Sequence, residues 1–475
     1  MTPSPRTRLI VPAMLLAVLA LCYLPMLTAT FGYADDFAQL AESINSIKWL
    51  QRAWNEAARP IGGWLTEWSF HAAGTIAGLA YLRAAGLLLL LLIALVIYRH
   101  LLPLLRDPAL AGLAAAFICA QPPFLVNVGW ASMWLYLIPP LLSYAAYLAI
   151  LRGGKWLLPA LLLLYIALNI YPVSTMFLWF WFGTEVLLAD TPPKLLLRRF
   201  MLLLVVCGAA SVLYYGLYKA FGYHHARGEF VTDLRTKLDW FIRIAVGMAS
   251  RLNWFDCWSR WLPLSVWSVI VLGAFLLRKE PLANVALKSG LCAALLFLCY
   301  LPLLVVKELD APYRSQIVLT AYIAMLAFVA VLGILVRLNA PARIRYLVLG
   351  ALVAAGLVKA EASVAFNVVF RQSLDYRYLR AALTRELPSH QHIVLICGVP
   401  EPNCWNELCR VTSELGTTYP VLYSMAVLVA RESWNGQGPD PAYKLHVVPY
   451  GTAVPPSQDT AIVDMEAATD ILNLK

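Results

Sequence analysis

Apolar residues in this chain come in long blocks divided by short polar gaps, with none of the strict alternation that marks a half-buried strand. A helix crossing a bilayer needs about 20 such residues. Blocks at 9–30, 79–101, 109–121, 132–151, 156–170, 172–189, 199–220, 258–277, 284–306, 315–337 and 343–365 predict a polytopic bundle of about 11 transmembrane helices. Residues 156–189 as one helix would overrun the hydrocarbon by some 20 Å at about 1.5 Å per residue. A break is therefore expected at Tyr171-Pro172, because a residue preceding proline is driven out of the helical region.

Two regions depart from the block pattern. Within 38–57, Glu42, Lys48 and Arg52 are interleaved with Ile44, Ile47 and Trp54, and "RPIGGWLTEWSFHAAGTI" (59–76) sets Glu67 and His71 beside Trp64 and Trp68. Such amphipathic stretches suit helices lying in the membrane interface. Beyond 366 the character changes again. "HIVLICG", "KLHVVPY" and "TAIVDM" predict short strands and "SELGTTYPVLYSMAVLVARES" a helix. Together they predict a small α/β domain at 366–475, after a membrane module at 1–365.

Composition agrees with a membrane protein: 61% of residues are hydrophobic and 13% charged, against about 25% charged in soluble domains. The net charge of +10 then needs no nucleic acid, since Lys and Arg collect in cytoplasmic loops. With the N-terminus and its Arg6 and Arg8 inside, the cytoplasmic gaps hold Arg99 and Arg106; Arg152 and Lys155; Lys194, Arg198 and Arg199; Arg278, Lys279 and Lys288; and Arg337, Arg343 and Arg345. The first apolar run exceeds a secretory h-region of about 7–15 residues, so it is expected to be retained. One gap disagrees: 221–257 carries Arg227, Arg235, Lys237, Arg243 and Arg251, accompanied by four acids. The tail falls outside, where a Cys404–Cys409 disulfide is permitted and free thiols are the other reading. Cys22, Cys119, Cys207, Cys257, Cys292 and Cys299 lie in or beside apolar runs, where cysteine packs as a small hydrophobe.

Candidate chemistry begins at "TATFGYADDFAQLAESI", with Asp35 and Asp36 directly behind the first apolar run. Adjacent carboxylates repel, which suits one of them to accept a proton; together they suit a divalent cation such as Mg or Mn. The plainer reading makes Asp35 a helix N-cap with Asp36 in the first turn. Arg314 and Lys307 flank the outer mouth between the ninth and tenth spans as possible phosphate ligands. His224, His225 and Arg227 share one loop, and Glu67 and His71 lie four apart on one helix face. Trp130 and Trp134 border an external turn, where sugar stacking and an aromatic belt are both open. Glu185 lies inside a span, near its inner end.

This arrangement resembles the GT-C glycosyltransferases. It comprises one span, an external acidic pair, two interfacial helices, a many-span bundle and an external C-terminal domain. Within that superfamily, "YADDF" followed by "RPIGGWL" resembles the bacterial glucosyl transferases that modify O-antigen. The resemblance covers roughly 1–365. It implies a hexose taken from a polyprenyl-phosphate donor to a cell-envelope glycan such as lipopolysaccharide O-antigen. It also implies a bacterial inner membrane, with an upstream flippase and a donor synthase on the cytoplasmic face. One of Asp35 and Asp36 would be the base, and Arg59 matches the Arg-Pro opening the second interfacial helix. The cytoplasmic gaps are too short for a nucleotide-sugar domain, which fits a lipid-linked donor and an inverting single displacement. A multi-span transporter or flippase is the alternative.

Overall fold

The computed structural model describes residues 5–32, 35–44, 59–221, 229–252, 261–276, 281–309, 311–389, 392–397, 419–433, 445–449 and 459–464. The fold is mostly helical. The longer helices are numbered α1 (Pro5–Tyr23), α2 (Asp36–Ile44), α3 (Pro60–Ala73), α4 (Leu79–Leu105), α5 (Pro108–Cys119), α6 (Pro122–Gly129), α7 (Ile138–Arg152), α8 (Leu157–Ile170), α9 (Phe177–Leu188), α10 (Pro193–Ala220), α11 (Trp261–Ile270), α12 (Leu282–Leu298), α13 (Ile317–Arg337), α14 (Ala342–Ala362) and α15 (Arg371–Glu386). In the tail, β1 (His392–Cys397), α16 (Tyr419–Ser433), β2 (Leu445–Pro449) and β3 (Thr460–Asp464) follow.

Among the described residues, five helical runs are long and apolar enough to cross a membrane: α4, Ala131–Arg152, α10, α13, and the continuous run Ala342–Glu386 of 45 residues. The pair α5 and α6, bent by 62°, passes the same test only when taken together, as a broken span or a re-entrant loop. Each remaining apolar block also holds a helix, but a shorter one. The expected break at Tyr171-Pro172 is present between α8 and the short helix Pro172–Thr175. The gap between the apolar blocks 109–121 and 132–151 is itself helical. "QPPFLVNVGWAS" is not an open loop: Pro122-Pro123 ends α5 but, as first-turn prolines, also opens α6. All eight residues of α6 are buried.

The main core runs through α1, α4–α9 and α13. Helix α13 is central, with Ile317 to Ala330 all buried. Close contact there depends on glycine: a Cβ at Gly273 would stand 2.2 Å from the Ala330 carbonyl oxygen, and one at Gly333 2.7 Å from that of Gly273. Small residues let helix backbones approach in this way.

A second core joins distant parts of the chain. Phe37 and Leu40 of α2, Phe70 of α3 and Leu82 of α4 pack with Leu379 and Leu383 of α15, Leu395 of β1 and Leu428 of α16. The three strands form a parallel sheet of order β2-β1-β3, and their positions match the sequence expectation. The Glu432 carboxylate at the end of α16 accepts the Ile76 N–H at 3.0 Å. The helices after Asp35-Asp36 and the α/β tail are thus one packed unit.

Cys22, Cys119, Cys207, Cys292 and Cys299 are buried free thiols. The expected Cys404–Cys409 pairing lies outside the described residues.

Candidate functional site

Seven residues, Trp130-Ala131-Ser132-Met133-Trp134-Leu135-Tyr136, form the hub of the site. Ala131–Leu137 is a 3-10 turn leading into α7, and the first N–H groups of any helix lack intrahelical acceptors. Asp36 meets that need. Its Oδ2 accepts from Ala131 N at 3.1 Å and its Oδ1 from Ser132 N at 2.8 Å. Asp36 is fully buried, so one carboxylate seats the start of α2 on the start of another helix. Asp35, one residue earlier, is exposed. The adjacent aspartates therefore occupy opposite environments.

The loop leading to them is fixed from beneath. Arg83, buried in α4, donates from Nε to the Met26 carbonyl at 2.8 Å, from Nη1 to Phe31 at 2.9 Å and from Nη2 to Ala29 at 3.2 Å. Its guanidinium also lies 3.9 Å from the Phe31 ring centre. Gly32 follows; a Cβ there would lie 2.7 Å from the Phe37 ring. Sequence reasoning missed Arg83, although a lone arginine within so apolar a helix is a signal that the position has work.

Two further cations converge on the hub. Arg59, at the start of α3, donates from Nη1 to the Tyr136 hydroxyl at 3.2 Å. Its guanidinium lies 4.7 Å from the Tyr171 ring centre, and Tyr136 and Tyr171 stack at 3.6 Å. Arg314, in the turn before α13, sits over the Trp130 ring at 5.0 Å. Arg59 and Arg314 are near enough for each charge to act on the other. Four segments distant in sequence thus bring Asp36, Arg59, Arg314 and the tyrosines together around residues 130–136.

Other expected site residues are not drawn in. Lys307 is exposed and ion-paired to Glu229 at 3.3 Å, where Phe230 and Val306 form an antiparallel bridge. It is a surface pair, outside the group that gathers at residues 130–136. Glu67 is half-buried and His71 exposed on α3, and no bond joins them. The exposed face of α3 carries Trp64 and Trp68, while Gly62, Gly63, Thr66 and Ser69 are buried. His224, His225 and Arg227 lie outside the described residues. Glu185 accepts from the Tyr147 hydroxyl at 2.6 Å and pairs with Arg199, a partnership that accounts for its burial.

The two aspartates differ in what they offer a cation. Asp36 spends both oxygens on backbone N–H groups, Asp35 faces outward, and no three His, Cys, Asp or Glu side chains converge among the described residues.

Sequence reasoning also passed over Glu42. It lies seven residues from Asp35, on the same face of α2. Burial, and then the Asp35 charge, push its carboxyl up to about 7. Comparison with protein-family models and with curated proteins finds no match.

Proposed function

We propose that this chain is a membrane glycosyltransferase of the GT-C type, moving a hexose from a polyprenyl-phosphate carrier to a cell-envelope glycan. The observation carrying this reading is the convergence at residues 130–136 of an exposed carboxylate beside a seated one, and of two guanidiniums. In this reading all eleven apolar blocks cross or enter a bacterial inner membrane and the N-terminus is cytoplasmic. The C-terminal α/β domain, 366–475, is periplasmic. Its shared core with α2 and α3 supports putting the site and the tail on one side. The outward Trp64 and Trp68 support α3 lying at lipid headgroups, where tryptophan is favoured.

Asp35 is the base. Its carboxylate takes the proton of the acceptor hydroxyl as that oxygen attacks the anomeric carbon of the donor. The bond from that carbon to the phosphate oxygen breaks, and its electron pair stays on the phosphate. Arg59 and Arg314 bind the phosphate as its charge grows; guanidinium forks match phosphate oxygens and their stabilisation increases toward the transition state. Asp36 holds the loop. A single displacement inverts the anomeric configuration.

The test is purified protein in lipid discs, supplied with polyprenyl-phosphate hexoses and O-polysaccharide. Wild type is expected to transfer with inversion, Asp35→Asn to lose transfer at normal expression, and Arg59→Ala and Arg314→Ala to lose about 100–1,000-fold in kcat, as for donors to a developing charge. Retention of configuration, or an active Asp35→Asn, overturns the proposal.

A further inference from the structure

Helix α15 buries one side and leaves a basic side open. Tyr376, Leu379, Ala382 and Leu383 enter the second core. Arg377, Arg380, Thr384 and Arg385 are exposed, and their spacing puts them on the other side of the helix. They border an open groove of about 590 Å³, shared with Thr28 and Thr30 in the segment that leads to the aspartates. Small-molecule sites span about 300–1,000 Å³.

The charge in this groove is unbalanced. Arg385 pairs with Glu386 at 2.6 Å. Arg380 donates to the Tyr376 hydroxyl at 3.3 Å; that hydroxyl bonds Glu432, whose carboxylate also accepts the Ile76 N–H. Neither Arg377 nor Arg380 has a carboxylate partner among the described residues, and no described acid borders the groove. Like charges one turn apart repel. Guanidinium forks beside threonine hydroxyls match the oxygens of a phosphate.

The surroundings add an apolar half to that ligand. Phe370 precedes Arg377 by seven residues, about 10 Å of helix, and Leu24 precedes Thr28 by four. Both are exposed. The short helix Pro25–Thr28 packs against the π-helical turn Ser363–Phe370, so the ends of two apolar helices meet at the groove. A free phosphate ion gains nothing from such a surface, whereas an acyl chain does.

We propose that this groove holds the phosphate of an anionic phospholipid headgroup, from the leaflet on the aspartate side. Arg377 and Arg380 are its ligands, Thr30 and Thr384 stand beside them, and the acyl chains run along Leu24 and Phe370. The lipid bridges α15 to the segment entering Asp35, and so ties the α/β tail to the bilayer surface. Arg59 and Arg314 do not border the groove, and the site stands whether or not the chain transfers sugar.

Thermal unfolding of the purified full-length chain in neutral detergent decides it, with phosphatidylglycerol, phosphatidylcholine or inorganic phosphate added. Wild type is expected to unfold several degrees higher with phosphatidylglycerol and to be unmoved by the other two at equal concentration. Arg377→Ala combined with Arg380→Ala should raise the half-saturating phosphatidylglycerol concentration about 30-fold, for two cations lost beside an anionic headgroup. Thr384→Glu, which sets a carboxylate in the groove, should abolish the shift. Without lipid both variants should unfold with wild type, since the replaced side chains are exposed. Arg337→Ala combined with Arg343→Ala removes as much exposed charge at the turn from α13 to α14 and should keep the full shift. No shift in wild type, a shift that survives both groove variants, or one that the Arg337 and Arg343 variant also loses, overturns the site. Equal protection by inorganic phosphate makes it a free-anion site, and equal protection by phosphatidylcholine removes the need for headgroup charge; either overturns the proposal.

Discussion

At the residue scale, the pair Asp35-Asp36 shows how neighbours of one type part company. Asp36 is worth its place as an acceptor for two helix-start N–H groups. Asp36→Ala should leave those buried donors unmet and lower stability by ~1–3 kcal/mol, read as a fall in melting temperature, whereas Asp35→Asn should not move it. Sequence alone offered both a capping and a catalytic reading; the structure gives one aspartate a partner across the fold and leaves the other exposed. The capping reading gave that role to Asp35 on its own helix; the aspartate that caps is Asp36, on a helix start 95 positions away that the sequence did not point to. Glu42 makes the second case. A carboxyl raised to about 7 by burial and by Asp35 binds its proton more tightly folded than unfolded, so its effect on stability is fully favourable below the ordinary carboxylate range and declines as pH rises to about 7. Glu42→Gln should therefore unfold at the same temperature as wild type near pH 4 and at a higher one at pH 8. Equal shifts at both pH values would reject this.

At the element scale, long apolar blocks and the short apolar runs of the tail were readable because their lengths differ, and the three strands of the tail match the expected segments. Irregular pieces were not. Residues 122–131 fell between two apolar blocks, yet α6 starts at Pro122 and packs wholly inside. Proline both ends and begins helices, and only the surroundings decide. The glycines were equally silent. Gly273 is an unremarkable residue in an apolar run, but the Ala330 carbonyl stands where its Cβ would be. Gly273→Ala must push the π-helical turn Val271–Leu276 off α13, at a cost of about 1–3 kcal/mol for an overpacked contact. Gly290→Ala, with open space around it, is the control that should unfold at the wild-type temperature in the same detergent.

At the scale of the whole molecule, the two cores divide the labour. One holds the apolar bundle together; the other ties α2 and α3, which lead away from the aspartates, to the α/β tail. Expression of residues 1–389 alone should expose Phe37, Leu40 and Phe70, lower the melting temperature and cost transfer even though the hub is intact. An active and equally stable truncation would show the tail to be dispensable. The tail's strands were legible, but its attachment was not, because Leu379, Leu383 and Leu428 gave no hint in sequence of which surface they meet. That attachment is reached along one continuous helical run, π-helical over Ser363–Phe370. The run Ala342–Glu386 of 45 residues would measure about 68 Å at helical rise, against a hydrocarbon layer of about 30 Å. The azimuth and height at which the run delivers the chain at Glu386 are therefore set by counting turns. One alanine inserted between Phe370 and Arg371 should swing it by about 100° and carry Glu432 away from Ile76, while seven should bring it back nearly into phase some 10 Å higher.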